Sequence, residues 1–418
     1  MRRLFPSVRR ITFGAVYLVA LVVWVVLVAD TVALVQQAAT PPRMPTVAPV
    51  VPTATARAPQ VVTPKPVQIE VPVQAEPEQQ LQTFHPKTGR YISAWLPDSF
   101  SGVNRQSFEA NADILDEVSP FWYTTNARGD LLRDGAARDQ TLIELAHSKN
   151  VLVIPTIHNV VNTDPVPTIL LNPDIRRRHI QNIVDEVLTY NYDGIDIDYE
   201  MISSNLRAEY SNFMVELGDA LHQHGKLLTV AVHAKTTDYG GLGGFQDWVV
   251  LGQTVDRLRI MTYDYHWRGS GPGPVAPVYW VEDVAEYAKS VVDPAKVVIG
   301  VPFYGYNWPN GGGSAVAQTW DAIDDLIKSY RLTVHLAESN ANGQIQENWI
   351  TYSGRTAWFA TGRGLDAKLA LVQEMDLAGI AIWRLGGEDP NNWTVIRNRL
   401  IEDPFESQRM LNQFLPEH

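Results

Sequence analysis

Beyond residue 90 the chain alternates between short apolar runs and longer amphipathic stretches. The apolar runs fall at 91–96, 117–123, 151–157, 192–199, 227–233, 257–264, 296–303 and 378–383. Their β-branched and aromatic content, bounded by turn residues, predicts strands. Stretches with helical periodicity, such as 173–189 and 203–223, lie between most of them. Eight apolar strands joined by helix-length crossovers predict a parallel sheet. Eight units in about 320 residues fit a (β/α)8 TIM barrel of the α/β class. The rival, an open doubly wound sheet, needs a Gly-rich phosphate loop after the first strand, and YISAWLP carries none. The gap 304–361 is too long for one crossover. Its helical run at 317–330 and strand-like pieces near 332–336, 347–352 and 356–360 predict a small α+β insertion above the barrel mouth. Helix 362–376 and strand 378–383 then close the barrel, and 391–401 reads as a final helix.

The first 86 residues have a different texture. Residues 1–10 hold four Arg, residues 11–29 carry no charge, and apolar character continues to Val35 with only Asp30 interrupting. That length suits a transmembrane signal anchor at 11–35. A secretory h-region is shorter, and no persuasive small-x-small cleavage site stands close behind. A cleaved signal, with secretion, is the alternative, and a buried core helix is the third reading. No Lys or Arg follows the span until Arg43, so the basic tail at 1–10 is expected in the cytoplasm and the rest outside. Residues 36–86 hold ten prolines between Pro41 and Pro77 and read as an extended linker. In polyproline form such a tether could reach on the order of 100 Å. The expected organisation is a single-pass membrane protein with an extracytoplasmic catalytic barrel at 87–405 and a tail at 406–418.

The chemistry concentrates in DGIDIDYE, residues 193–200. Strand side chains alternate, so Asp196, Asp198 and Glu200 share one face while Ile195, Ile197 and Tyr199 share the other. The apolar face argues against a solvated edge strand carrying scattered acids. Carboxyls roughly 6–7 Å apart along one face resist ionising together. At least one is expected to keep its proton near neutral pH, as a general acid must. In a barrel of this kind the active groups come from the carboxyl ends of the strands. That filter selects Trp95, Tyr123, His158, Asn159, Glu200, His233, Tyr263, Asp264, Tyr304, Tyr306, Trp383 and Arg384. Tyr265, His266 and Trp267 follow directly after the sixth strand. Acids, phenols and indoles converging on one mouth suit a carbohydrate cleft. Each aromatic could equally fill a core.

Composition narrows the field. There is no Cys, which excludes disulfides and thiolate metal sites. Net charge is -12, and residues 1–86 contribute seven Lys/Arg against four Asp/Glu, so the remainder carries about -12 - 3 = -15. Such an acidic body argues against nucleic acid as a partner. His158, His233 and His266 each follow a strand, but a barrel metal hydrolase wants His-x-His on the first strand, and none is there. No metal or organic cofactor is expected. GGGS at 311–314 reads as a flexible loop.

DGIDIDYE resembles the D-x-x-D-x-D-x-E signature of glycoside hydrolase family 18, the chitinase family. MTYD at 261–264 resembles that family's sixth-strand motif, and the Trp of IAIWRLG resembles its eighth-strand Trp. The likeness covers about 90–402. ENWITY, RTAWFATGRGLDAKLAL and GIAIWRLGGEDPNNW look more like the bacterial branch that acts on spore cortex and other peptidoglycan. The resemblance implies Glu200 as general acid and Asp198 as the partner of the substrate's 2-acetamido N–H. It implies Asp196 behind Asp198 sharing its proton, with Asp193 and Gly194 structural at the strand start. Tyr263 would donate to the acetamido oxygen and Trp383 would seat the sugar. Asp264, Trp95, Tyr123, Tyr304 and His233 are further substrate-binding candidates. The reaction implied is retaining, substrate-assisted hydrolysis of β-1,4-linked N-acetylglucosamine glycans. Peptidoglycan is favoured over chitin, and a non-catalytic, lectin-like barrel is the alternative. One departure stands out: many members carry Ser-x-Gly-Gly on the third strand, where this chain reads VIPTIHN. The role of Arg384, as a partner of the acids or as structure, is open at this level.

Overall fold

The computed structural model describes residues 86–97, 102–159, 165–238 and 241–401. The expected anchor, linker and carboxy-terminal tail lie outside them. Among the described residues no helix is long and apolar enough to cross a membrane.

Eight parallel strands form a closed ring. They are β1 (Tyr91–Leu96), β2 (Glu117–Thr125), β3 (Thr156–His158), β4 (Gly194–Asp198), β5 (Leu227–His233), β6 (Arg257–Met261), β7 (Val297–Pro302) and β8 (Gly379–Trp383). Each pairs with the next, and β1 pairs with both β2 and β8, so the sheet has no barrel edge. With helices between successive strands, this is a (β/α)8 barrel. The third strand is split. Leu152–Val153 pairs with β2 before Pro155, which has no N–H to give the ladder, and pairing resumes at Thr156.

The helices start where local chemistry supplies caps. Asn172 accepts from the backbone N–H groups of Asp174 and Ile175, and Pro173 opens helix Pro173–Thr189. That helix buries Ile180, Ile183, Val184 and Val187 against the outward faces of the strands, beside Ile195 and Ile197. The i, i+3, i+4, i+7 spacing of the four makes one apolar stripe. With Ile195 and Ile197 turned outward to that layer, the alternating acids of β4 must face the barrel axis.

Between β7 and helix Gly362–Glu374 the chain builds a second, antiparallel sheet. Its order is Val316–Gln318, Gly305–Pro309, Arg355–Phe359, Gly343–Tyr352, His335–Asn340. Helix Trp320–Tyr330 packs Ile323 against Ile350, Ala357 and Phe359 of this sheet. It begins at 320 rather than the expected 317 because residues 316–318 pair with 305–307 and Thr319 caps it. The strand Gly305–Pro309 was not expected.

Gly194 sets the spacing of β4 and β5. A Cβ there would lie 2.2 Å from the carbonyl oxygen of Leu227. Gly194→Ala is expected to lower stability by about 1–3 kcal/mol through forced separation of the strands. Urea unfolding followed by circular dichroism checks this, and an unchanged midpoint would show that the strands have room to spare.

Candidate active site

The acids of β4 occupy three levels along the barrel axis. Asp196 is lowest and fully buried. It accepts hydrogen bonds from the Trp95 indole N–H at 3.0 Å, the Thr156 hydroxyl at 3.0 Å and the Thr229 hydroxyl at 2.8 Å. The Arg259 guanidinium stands 3.7 Å away. Burial still raises the Asp196 pKa, opposed by those three donors. Arg259 is itself buried, in contact with Glu117 and bonded to Ser119 and Thr229. Burial pulls its pKa down to about 10.

Asp198 is one level up and only 6% exposed. Its Oδ1 is buried with no hydrogen-bond partner. Burial, then the charges of Glu200 and Asp196, hold its pKa well above the ordinary carboxylate value. No hydrogen bond joins it to Asp196, whose oxygens turn toward Trp95, Thr156 and Thr229 instead.

Glu200 stands just past the strand end. Asn159 fixes its backbone from both sides: the Glu200 N–H donates to Asn159 Oδ1 and the Asn159 amide donates to the Glu200 carbonyl, each at 2.9 Å. The carboxyl is left 38% exposed at the mouth, 3.6 Å from His233 Nε2. Burial and the charge of Asp264 raise its pKa. Burial lowers the His233 pKa to about 4, so near neutral pH that ring is an uncharged neighbour.

Aromatic rings complete the mouth. Tyr263 stacks on Trp383 with centroids 6.4 Å apart, and Trp95 and Phe121 meet Trp383 at 5.8 and 5.3 Å. Tyr304 and Tyr306 donate their hydroxyls to Asp264, the latter at 3.1 Å. Burial raises the Asp264 pKa against those two bonds. Asp264 sits at φ 61°, a left-handed conformation that Asp tolerates better than most residues.

Most of the expected site residues converge: Asp198, Glu200, His233, Tyr263, Asp264, Tyr304 and Trp383 gather at the carboxyl end of the barrel, with Asp196 buried below them. Two do not sit where expected. Tyr123 faces the helix layer, with its hydroxyl bonded to Glu186 at 2.6 Å and to Tyr192 at 2.8 Å. The register of β2 shifts between Phe121 and Tyr123, so Phe121 takes the inward position instead. Trp95 lies beneath the mouth, 1% exposed, and holds Asp196 rather than open surface. Asp193 works at the opposite end of β4. It accepts from the Val153 N–H at 2.7 Å and bonds His147 Nε2 at 2.9 Å, tying β4 to the third strand. Among the described residues no three His, Asp or Glu side chains assemble as metal ligands.

Sequence reasoning had not nominated Phe121, Gln246 or the Arg259–Glu117 pair, and had placed Asn159 at the end of the third strand without its hold on the Glu200 backbone. Gln246 accepts from the His233 backbone N–H at 2.9 Å. Arg259 carried a usable signal: a charge in RLRIM at a position that alternation turns inward.

A closed parallel barrel whose fourth strand ends in buried acids beneath an aromatic mouth has the groups that a glycosidase uses. The glycosyl hydrolases family 18 profile matches residues 123–388, and the chain belongs to that family. It is 32% identical over 328 residues to the "Putative sporulation-specific glycosylase YdhD" of Bacillus subtilis, covering 74% of this chain and 76% of that one. It is 26% identical over 309 residues to the cortical fragment-lytic enzyme of the same organism, covering 71% and 70%. The solved structure of the Bacillus cereus spore cortex-lytic enzyme SleL shares the fold at a TM-score of 0.68, with 24% identity over 74% of each chain.

Raised carboxyl pKa values carry a stability cost at neutral pH. The folded protein holds the Asp198 proton more tightly than the unfolded chain, whose value is near 3.8. Stability from this group is therefore fullest below that value and is lost as pH rises through the folded one. Asp198→Asn is expected to unfold at higher urea than the parent at pH 7, with the gap closing toward pH 4. A variant less stable than the parent at pH 7 would contradict the assignment.

Proposed function

We propose that the protein hydrolyses β-1,4 bonds of N-acetylglucosamine-containing glycans, with peptidoglycan as substrate, by a retaining, substrate-assisted reaction. The observation that carries the reading is the unpartnered Asp198 Oδ1. Buried acceptors are nearly always satisfied, so an orphan beneath a catalytic acid is suited to a donor that the substrate brings. The N–H of a 2-acetamido group is such a donor.

In this scheme Glu200 gives its proton to the glycosidic oxygen as the C1–O bond breaks. The acetamido oxygen bonds to C1, and positive charge develops on the acetamido nitrogen, next to Asp198. Tyr263 orients the acetamido oxygen and Trp383 seats the sugar ring. Glu200, now ionised, takes a proton from water, the water oxygen attacks C1, and the acetamido group is released. Two inversions at C1 give net retention. Asp196, held by Trp95 and by its strand neighbours Thr156 and Thr229, acts on Asp198 by charge rather than by a shared proton. Peptidoglycan is favoured because the relatives named above act, by name, in sporulation and on cortical fragments.

The first 86 residues fit this role. A signal anchor at 11–35 and the Pro-rich tether at 36–86 would hold the barrel outside the membrane, within reach of wall glycan. Protease added to intact cells should then remove the barrel while leaving the amino terminus protected; full protection would overturn the topology.

Glu200→Gln is expected to lower kcat by roughly 10²–10⁴-fold, the usual worth of a general acid, while glycan binding persists. In the parent, kcat/KM should fall as pH rises through the elevated pKa of Glu200, because the first step needs its proton. Reducing-end assays on chitooligosaccharides and on muramic-acid glycans, with mass analysis of the fragments, check both. Cleavage of neither glycan by the parent would refute hydrolysis, and products of inverted anomeric configuration would refute the acetamido route.

A further inference from the structure

Beside Trp383 lies a cavity of about 160 Å³. Tyr304, Tyr306, Gln318, Thr319 and Arg384 line it. Its Trp383 and Tyr304 walls also pack around Tyr263 and Asp264, beside the acids of β4. At roughly 30 Å³ per water, it has room for a substituent of a few heavy atoms.

Arg384 is the cation of this cavity, and it is held by an amide rather than by a carboxylate, as Arg355 is held by Asn307. Arg105, Arg138, Arg176, Arg207, Arg397 and Arg399 each pair with a carboxylate. Arg384 forms no ion pair among the described residues. Its Nη1 donates to the neutral side-chain oxygen of Asn104 at 3.2 Å. That bond orients the guanidinium without neutralising it and leaves further N–H donors for a ligand. The backbone is anchored as well, since the Leu385 N–H donates to the Trp95 carbonyl at 3.2 Å. A planar, oriented cation in a polar side cavity suits a carboxylate, which a guanidinium can meet with two parallel bonds.

The charge of the whole molecule sharpens this. A chain of net charge -12 repels anionic glycans. An anionic glycan therefore needs a local cation, whereas a neutral one has no use for it. We propose that Arg384 and its cavity bind a carboxylate carried by the sugar next to the one seated on Trp383, so that the site selects acidic amino-sugar glycans. The proposal rests on the peptidoglycan reading. In a glycan alternating N-acetylglucosamine with muramic acid, both neighbours of a seated glucosamine bear a 3-O-lactyl carboxylate. Chitin offers none.

The test compares three glycans of equal length: one with the lactyl carboxyl free, one with it reduced to the alcohol, and a chitooligosaccharide. The parent is expected to prefer the free acid over the alcohol by about 10-fold or more in kcat/KM, the worth of a charge-assisted hydrogen bond. That preference should collapse toward 1 in Arg384→Gln, survive in part in Arg384→Lys, and shrink as salt is added. The same ratio, read as affinity by calorimetry in a Glu200→Gln background, removes turnover from the comparison. The parent ratio needs no Arg384 variant, so poor folding of a variant cannot hide the result. A parent that cleaves muramic-acid glycans with no preference for the free acid, or an Arg384→Gln protein that keeps the preference, overturns the role of Arg384 alone. A parent that cleaves only the chitooligosaccharide overturns the peptidoglycan reading and this role together.

Discussion

Three carboxyls stacked along one strand, inside a ring closed to water from below, is the constraint that the rest of the barrel answers. Like charges so placed cannot all ionise unless the surroundings compensate them. The compensation is graded. Asp196 receives three hydrogen bonds and has Arg259 nearby. Asp198 has an oxygen with none. Glu200 reaches the mouth, where substrate and solvent meet. Donors are plentiful at the bottom of the stack and absent in the middle, so burial is opposed by hydrogen bonds at Asp196 and unopposed at Asp198.

The mouth is held by the second sheet as much as by the barrel. Tyr304 follows β7 and Tyr306 lies on the first long strand of that sheet, and both reach Asp264 on the loop after β6. Further along the same loop, the backbone N–H groups of Val275 and Ala276 donate to Glu347 at 2.7 and 2.6 Å. Glu347 is fully buried on strand Gly343–Tyr352, with the charge of buried Lys368 opposing the rise in its pKa. The loop is thus gripped at two places by one sheet. An insertion that reads in sequence as an accessory is here part of what fixes the position of an acid beside Glu200.

What the sequence disclosed follows from which signals are local. β1, β5 and helix Pro173–Thr189 match their expected bounds because apolar runs and caps lie within each segment. The acids of β4 were legible because strand alternation alone sets their face. Tyr123 was misplaced because a register shift in β2 depends on pairing with β3 and leaves no mark in EVSPFWY. The strand Gly305–Pro309 was missed because it is defined by partners at 316–318 and 355–359. Asn159 was visible as a residue after a strand, but its grip on the Glu200 backbone requires knowing that β3 and β4 are neighbours in register.

The buried Arg259–Glu117 contact is the least economical feature of the barrel when judged as stability alone. Apolar residues of similar volume often replace such pairs at no loss. Its value lies in what it does to the level above. Arg259 shares the Thr229 hydroxyl with Asp196 and stands between that carboxyl and Glu117. Burial raises the Asp196 pKa, its hydrogen bonds oppose that rise, and the charge of Asp196 in turn disfavours ionisation of Asp198. The charge of Glu200 acts on Asp198 from above in the same sense. An apolar barrel floor would make a more stable ring but would leave the lowest carboxyl without its counter-charge. The polar floor is therefore tied to the middle of the stack, through the Thr229 hydroxyl that Arg259 and Asp196 share and through the charge that Asp196 turns on Asp198.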